Sequence, residues 1–210
     1  VRSDELVFGA GAADIIFRMV RSLRPRSALI PAPTFSEYEQ ALRSVDCGVD
    51  YLYLAEKSGF KIEANILERL NDQQLVFICN PNNPTGLCPE RPLLYKILKR
   101  CREINCTVIV DECFIDFVAD REQYSVYKYL AEFESLIILK AFTKNFAMAG
   151  LRLGYALSSN TELLAQIAAQ GQPWSVSTPA QVAGIAALDN TKYLAQTLQN
   201  TIKERKYLTE

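Results

Sequence analysis

"LVFICNPNNPTG", residues 75–86, joins an unbroken apolar run to a turn holding two Asn-Pro pairs. With no polar face, the run fits a strand covered on both sides, as in a parallel sheet between helices. Each Pro in the turn fixes its own φ and biases the residue before it toward extended backbone. Asn83, ahead of Pro84, is restricted in this way, so its amide can be aimed at a ligand. A plain surface turn uses the same residue types, but it has no need of two Asn-Pro pairs at a strand end.

The pattern recurs on both sides of this stretch. Runs at 27–31, 49–54, 107–112, 135–140 and 152–157 read as strands, while 34–46, 63–72 and 89–104 carry apolar residues at helical spacing. Repeated strand–helix units predict an α/β fold of three layers, αβα, around a mostly parallel sheet. Such sheets bind ligands beyond the carboxyl ends of their strands, where this chain has "NPNNPTG", "DECFIDF" and "AFTKN". From about residue 171 the pattern is helical, with Trp174 in the connector "QPWSVSTP". We therefore expect a large α/β domain over 1–170 and a helical segment over 171–210. The chain opens without Met and closes on a helical pattern with no C-cap glycine. We expect a fragment of a longer protein.

Composition narrows the function. Lys and Arg number 23 against 24 Asp and Glu, so no basic field points to nucleic acid or an anionic membrane. No apolar run approaches the ~20 residues of a spanning helix, and no signal peptide opens the chain. Six scattered cysteines without C-x-x-C spacing, and no histidine, argue against a metal centre and fit a reducing cytoplasm. Without histidine, Ser-His-Asp and Cys-His machinery is excluded. Proton transfer then falls to Lys, Asp, Glu, Tyr or Cys.

Four more features can carry chemistry. "FGAGAADIIFRMV" (8–20) sets two glycines ahead of an apolar helical stripe, which suits a phosphate at a helix N-terminus or simply a turn before a core helix. Asp111 ends a strand, as a cap or as the counter-ion of a protonated aromatic nitrogen. Lys144 follows among Phe142, Phe146 and Met148. It is either an amphipathic surface lysine or an amine that desolvation by those neighbours makes nucleophilic. Arg152, at the mouth of another strand, suits bidentate phosphate binding or a surface ion pair. Tyr38, Glu39 and Arg43 read as surface or interface, and Cys113 as a small apolar filler. A Rossmann-type module fits poorly, since "GAGAAD" lacks the third glycine and the first clear strand comes after it.

Taken in order, the Gly-rich helix start, Asn before Pro, strand-end Asp, Lys and Arg make the chain resemble fold-type I pyridoxal-phosphate enzymes. This is the aspartate aminotransferase superfamily, and the resemblance covers nearly the whole chain. It implies the large domain of that fold, truncated at its N-terminal side, with the helical segment leading to an absent small domain. It implies pyridoxal 5'-phosphate as cofactor, with Lys144 as its Schiff-base lysine and proton carrier, and Asp111 on the ring nitrogen. Asn83 would donate to the ring 3′-oxygen and Phe35 would stack on the ring. The backbone of Ala10, Gly11 and Ala12, with Arg152, would hold the phosphate. The position three before the lysine, commonly Ser or Thr in the family, is Ala141, and Thr143 is expected to compensate. Within the superfamily the chain is similar to the branch of histidinol-phosphate aminotransferases and threonine-phosphate decarboxylases. Phe114, where most aminotransferases carry Tyr, and "PWSV" (173–176) resemble the decarboxylases. That implies a phosphorylated amino acid substrate and a homodimer at full length, with little turnover by the fragment alone. A catalytically silent domain on the same fold is the non-enzyme alternative.

Overall fold

The computed structural model describes residues 1–209. Seven strands form one sheet: β1 Leu6–Gly9, β2 Ser27–Ala32, β3 Gly48–Tyr53, β4 Leu75–Cys79, β5 Thr107–Asp111, β6 Leu136–Ala141 and β7 Gly154–Leu157. Their order is β1-β7-β6-β5-β4-β2-β3. Strands β2 to β6 pair in parallel, and β7 runs antiparallel to both β6 and β1. Helices α1 Ala12–Leu23, α2 Glu37–Arg43, α3 Ile66–Arg69, α4 Arg91–Glu103, α5 Arg121–Tyr124, α6 Phe142–Asn145, α7 Thr161–Ala169, α8 Thr178–Leu188 and α9 Thr191–Thr209 complete the chain.

The unbroken apolar run of β4 has a direct cause. Leu75, Phe77 and Cys79 enter one core with Ile15, Ile16 and Met19 of α1, while Val76 and Ile78 enter a second with Leu94, Ile97 and Leu98 of α4. Successive side chains point to opposite faces of a strand, so a strand with a core on each side has no polar position to spare. Helices α1, α2 and α7 cover one face, and α3 and α4 cover the other. The expected three-layer αβα architecture follows from these two cores.

Two local expectations change. The helix expected over 63–72 is confined to Ile66–Arg69. A strand, β1, precedes the glycine turn, so the turn does follow a strand; but β1 pairs only with β7, and antiparallel. The first parallel strand–helix unit of a dinucleotide-binding fold is therefore still missing. The connector from 171 leads into α8 and α9 as the helical pattern predicts, with Trp174 95% exposed.

Strands β4, β5 and β6 are adjacent and parallel, which sets the ends of all three side by side. The glycine turn joins them across β7, because Gly154 pairs with Gly9 on one side and Ala141 on the other. A Cβ on Gly154 would lie 2.6 Å from the Ala12 nitrogen, so this close approach of strand to turn requires glycine.

Candidate active site

Asp111 ends β5 and is 5% exposed. Its two oxygens are held separately: the Cys113 N–H donates to Oδ1 at 2.9 Å and the Tyr38 hydroxyl donates to Oδ2 at 2.7 Å. A buried carboxylate needs such donors, since an unsatisfied one is costly. Tyr38 is itself fully buried and stacked on Phe77 with ring centroids 4.5 Å apart. Burial first, and then the Asp111 charge, push its phenol well above the ordinary range, so it remains a donor at neutral pH. Sequence reasoning reads Tyr38 as surface or interface, whereas the structure buries it in the core of the chain itself. It stands near the start of α2, with Phe35 just ahead of the helix, and the two rings meet edge-to-face at 5.6 Å.

The Tyr38→Phe variant tests this bond. It leaves one buried carboxylate oxygen without a donor, and we expect a loss of about 1–3 kcal/mol in denaturant unfolding of the cofactor-free protein. Unchanged stability would show that the bond contributes nothing.

Lys144 shares a cavity of about 80 Å³ with Asp111, Asn83, Phe35 and Arg152. It differs from expectation in one respect: it is exposed. Phe142, Phe146 and Met148 do not desolvate it. They pack instead with Leu153 and Tyr155, and the Phe142 and Phe146 rings stack on each other at 5.3 Å. Phe142 and Phe146 stand two residues either side of Lys144, and on a helix such neighbours face away from it. The ring that the lysine does meet is Phe114, whose centroid lies 5.4 Å from Nζ.

The glycine turn is built around Arg152. Gly11 has φ +88°, and a Cβ there would lie 2.6 Å from Nη2 of Arg152, so glycine lets the guanidinium lie across the turn. The Ala10 N–H donates to Asp14 Oδ2 at 2.8 Å, and the Gly11 N–H donates to the Gly9 carbonyl at 2.8 Å. These two amides are engaged within the chain. The next two residues, Ala12 and Ala13, line the cavity at the start of α1. Of the expected Ala10, Gly11 and Ala12, only Ala12 lines the cavity, and Ala13 lines it beside Ala12. Asp14 is neutralised by Arg18, which is 4% exposed and bonded to it.

The remaining expected residues also meet this cavity. Asn83 lines it and its side-chain amide has no hydrogen bond among the described residues, although its backbone N–H donates to the Cys79 sulfur at 3.4 Å. Thr143 is buried beside Lys144 and lines it too, as does the methyl group of Ala141. Cys79 and Cys113 complete the wall. Burial, with Asp111 adding to it, pushes Cys79 up to about 12 and raises Cys113 as well, so both remain thiols. A larger cleft of about 790 Å³ runs past residues 60–64 and 87–90. Its carboxylates, Glu63, Glu90 and Asp120, are exposed, so it lacks a buried acid. The small cavity, by contrast, brings together a buried acid, an amine, a side-chain amide and the start of a helix.

The chain matches the family described as Aminotransferase class I and II over residues 1–210. It is 39% identical over 189 residues to the threonine-phosphate decarboxylase of Salmonella typhimurium, covering 90% of this chain and 51% of that protein. It is 33% identical over 214 residues to a histidinol-phosphate aminotransferase of Oleidesulfovibrio alaskensis, covering 100% of this chain and 55% of that protein. The structure superposes on the histidinol-phosphate aminotransferase of Clostridium acetobutylicum with a TM-score of 0.89 at 35% identity, over 97% of this chain and 60% of that one. The chain spans about half the length of the curated relatives it matches.

Proposed function

Since the chain belongs to the aminotransferase class I and II family, whose cofactor is pyridoxal 5'-phosphate, we propose that the cavity between Asp111 and Lys144 is the site of that cofactor. The observation that carries this reading is that a doubly held, buried carboxylate and an exposed amine line one cavity. The donor set fits the group, with an amine for the aldehyde, an acid for the ring nitrogen and free amides with a guanidinium for the phosphate.

When bound, the cofactor supplies an electron sink for the pair released as a bond to the substrate α-carbon breaks. Each residue then has a definite task. Lys144 would hold the aldehyde and would carry a proton to or from the substrate α-carbon. Asp111, oriented by Tyr38 and Cys113, would keep the ring nitrogen protonated. Asn83 would donate to the ring hydroxyl, and Phe35 would pack against the ring. Ala12, Ala13 and Arg152 take the phosphate, with Gly11 giving the guanidinium room, and Thr143 stands where its hydroxyl can add to them. Phe114 lies against the amine and offers no hydroxyl.

For the whole protein we propose decarboxylation of L-threonine O-3-phosphate to (R)-1-amino-2-propanol phosphate, the linker of cobalamin assembly. The substrate carboxylate leaves as CO2, and Lys144 returns a proton to the carbon. Support comes from Phe114, from "PWSV" at 173–176 and from the 39% identity to the Salmonella typhimurium decarboxylase. A histidinol-phosphate-type aminotransferase is the second reading, favoured by the 35% identity to the Clostridium acetobutylicum enzyme. In either case we propose a cytoplasmic homodimer whose small domain binds the substrate carboxylate, with residues 1–170 as the cofactor-binding domain. The test is to give the whole protein threonine phosphate with and without a keto acid. We expect CO2 release that needs no keto acid. Keto-acid-dependent amino transfer without CO2 would select the aminotransferase.

A further inference from the structure

Lys144 makes no hydrogen bond or ion pair of its own among the described residues; its one contact of that kind is with the Phe114 ring. It sits on α6, a helix of four residues, too short to be stable by itself. Something outside the helix must fix where the amine stands. The next residue, Asn145, is 6% exposed, and its Nδ2 donates to Oδ2 of Asp116 at 2.7 Å. The other Asp116 oxygen, Oδ1, accepts from Nη1 of Arg121 at 2.6 Å. Asp116 is therefore held on one oxygen by α5 and holds α6 by the other. The amide oxygen of Asn145 is buried without a protein partner, so no second side-chain bond replaces the tie.

Asp116 lies in a 3-10 turn, Ile115–Phe117, that begins four residues after Asp111. Residues 111–117 thus carry the acid, the ring against the amine, and the anchor of the helix that bears the amine. From this juxtaposition, and resting on the cofactor site proposed above, we propose that Asp116 and Asn145 are positioning residues that set the spacing between Lys144 and Asp111. A buried amide on a carboxylate is a charge-assisted bond of fixed geometry. Misplacing a reacting group by about an ångström can cost on the order of 100-fold in rate, so a tie of this kind matters to an amine that must reach a ring held by Asp111.

A donor–acceptor exchange tests this in the whole protein. N145D puts two carboxylates at hydrogen-bond distance, whereas D116N/N145D restores one donor and one acceptor with the roles reversed. The first readout is the rate at which cofactor-free protein captures pyridoxal 5'-phosphate at Lys144, measured by borohydride quenching and peptide mapping. The second is the pH at which the visible absorbance of the loaded protein titrates, which loss of stability alone does not move. Thermal unfolding of the cofactor-free protein is run alongside. We expect capture to slow by about tenfold or more in N145D, with recovery to within about threefold in the exchanged pair, and the titration to shift and return likewise. Should N145D not fold, N145A removes the donor without adding a charge and is compared with wild type in the same way. Wild-type capture by the single variant, or no recovery in the pair, overturns the proposal. A wild-type adduct on some lysine other than Lys144 overturns the cofactor site too, and the wild-type map tells the two failures apart.

Discussion

Lys144→Ala in the whole protein is expected to lower turnover by at least about 10²–10⁴-fold, the contribution typical of one positioned proton-transfer group, and to abolish covalent capture of the cofactor. The proposed function gives this amine two tasks, and no other lysine among the described residues lines its cavity. Lys140 is the neighbour in sequence, but it turns to the buried Glu112, 3.9 Å away, on the far side of β6 from the site. Stability is expected to change little. Lys144 is exposed and its side chain makes no hydrogen bond, and surface substitutions away from special features usually stay within about 0.5 kcal/mol. Turnover within a few-fold of wild type would remove Lys144 from the mechanism.

Asp111→Asn separates charge from shape. The asparagine carbonyl can still accept from the Cys113 N–H, and the Tyr38 hydroxyl can rotate to accept from the new NH2 group. The buried hydrogen bonds therefore survive, and the unfolding free energy should change by no more than about 1 kcal/mol. The charge proposed to face the ring nitrogen does not survive. Loss of one partner of a buried charge pair costs about 2–5 kcal/mol, or roughly 30- to several-thousand-fold in turnover. Turnover close to wild type would contradict the counter-ion role. A collapse of stability with it would mean that Asp111 serves the fold instead.

The parts of the fold that position the site are legible in the sequence because they obey simple periodicities. β4, β5 and β6 are apolar on both faces, since a core lies on each side, and each ends in a polar cluster. β1 is hard to see: it is four residues long, lies at the sheet edge with Phe8 48% exposed, and ends in glycine. Asp111, Asn83 and Lys144 can be found as polar residues following strands. Tyr38 cannot be found that way, because its helix is short and the partner it meets is 73 residues away. The Asp116–Asn145 tie is hidden for the same reason, its partners lying 29 residues apart in separate turns. The aromatic neighbours of Lys144 mislead, since adjacency in sequence is not adjacency on a helix face. The glycine turn is legible as a helix start, but which of its amides are free depends on Asp14, whose side chain takes the Ala10 N–H.

The most direct test is to incubate the whole protein with pyridoxal 5'-phosphate, reduce it with borohydride, and map the adduct by mass spectrometry of its peptides. A single adduct on Lys144, weakened in Asp111→Asn, is the predicted result. An adduct on Lys140 or any other lysine, or a bound cofactor that leaves none, would contradict a site built on residues 111 and 144.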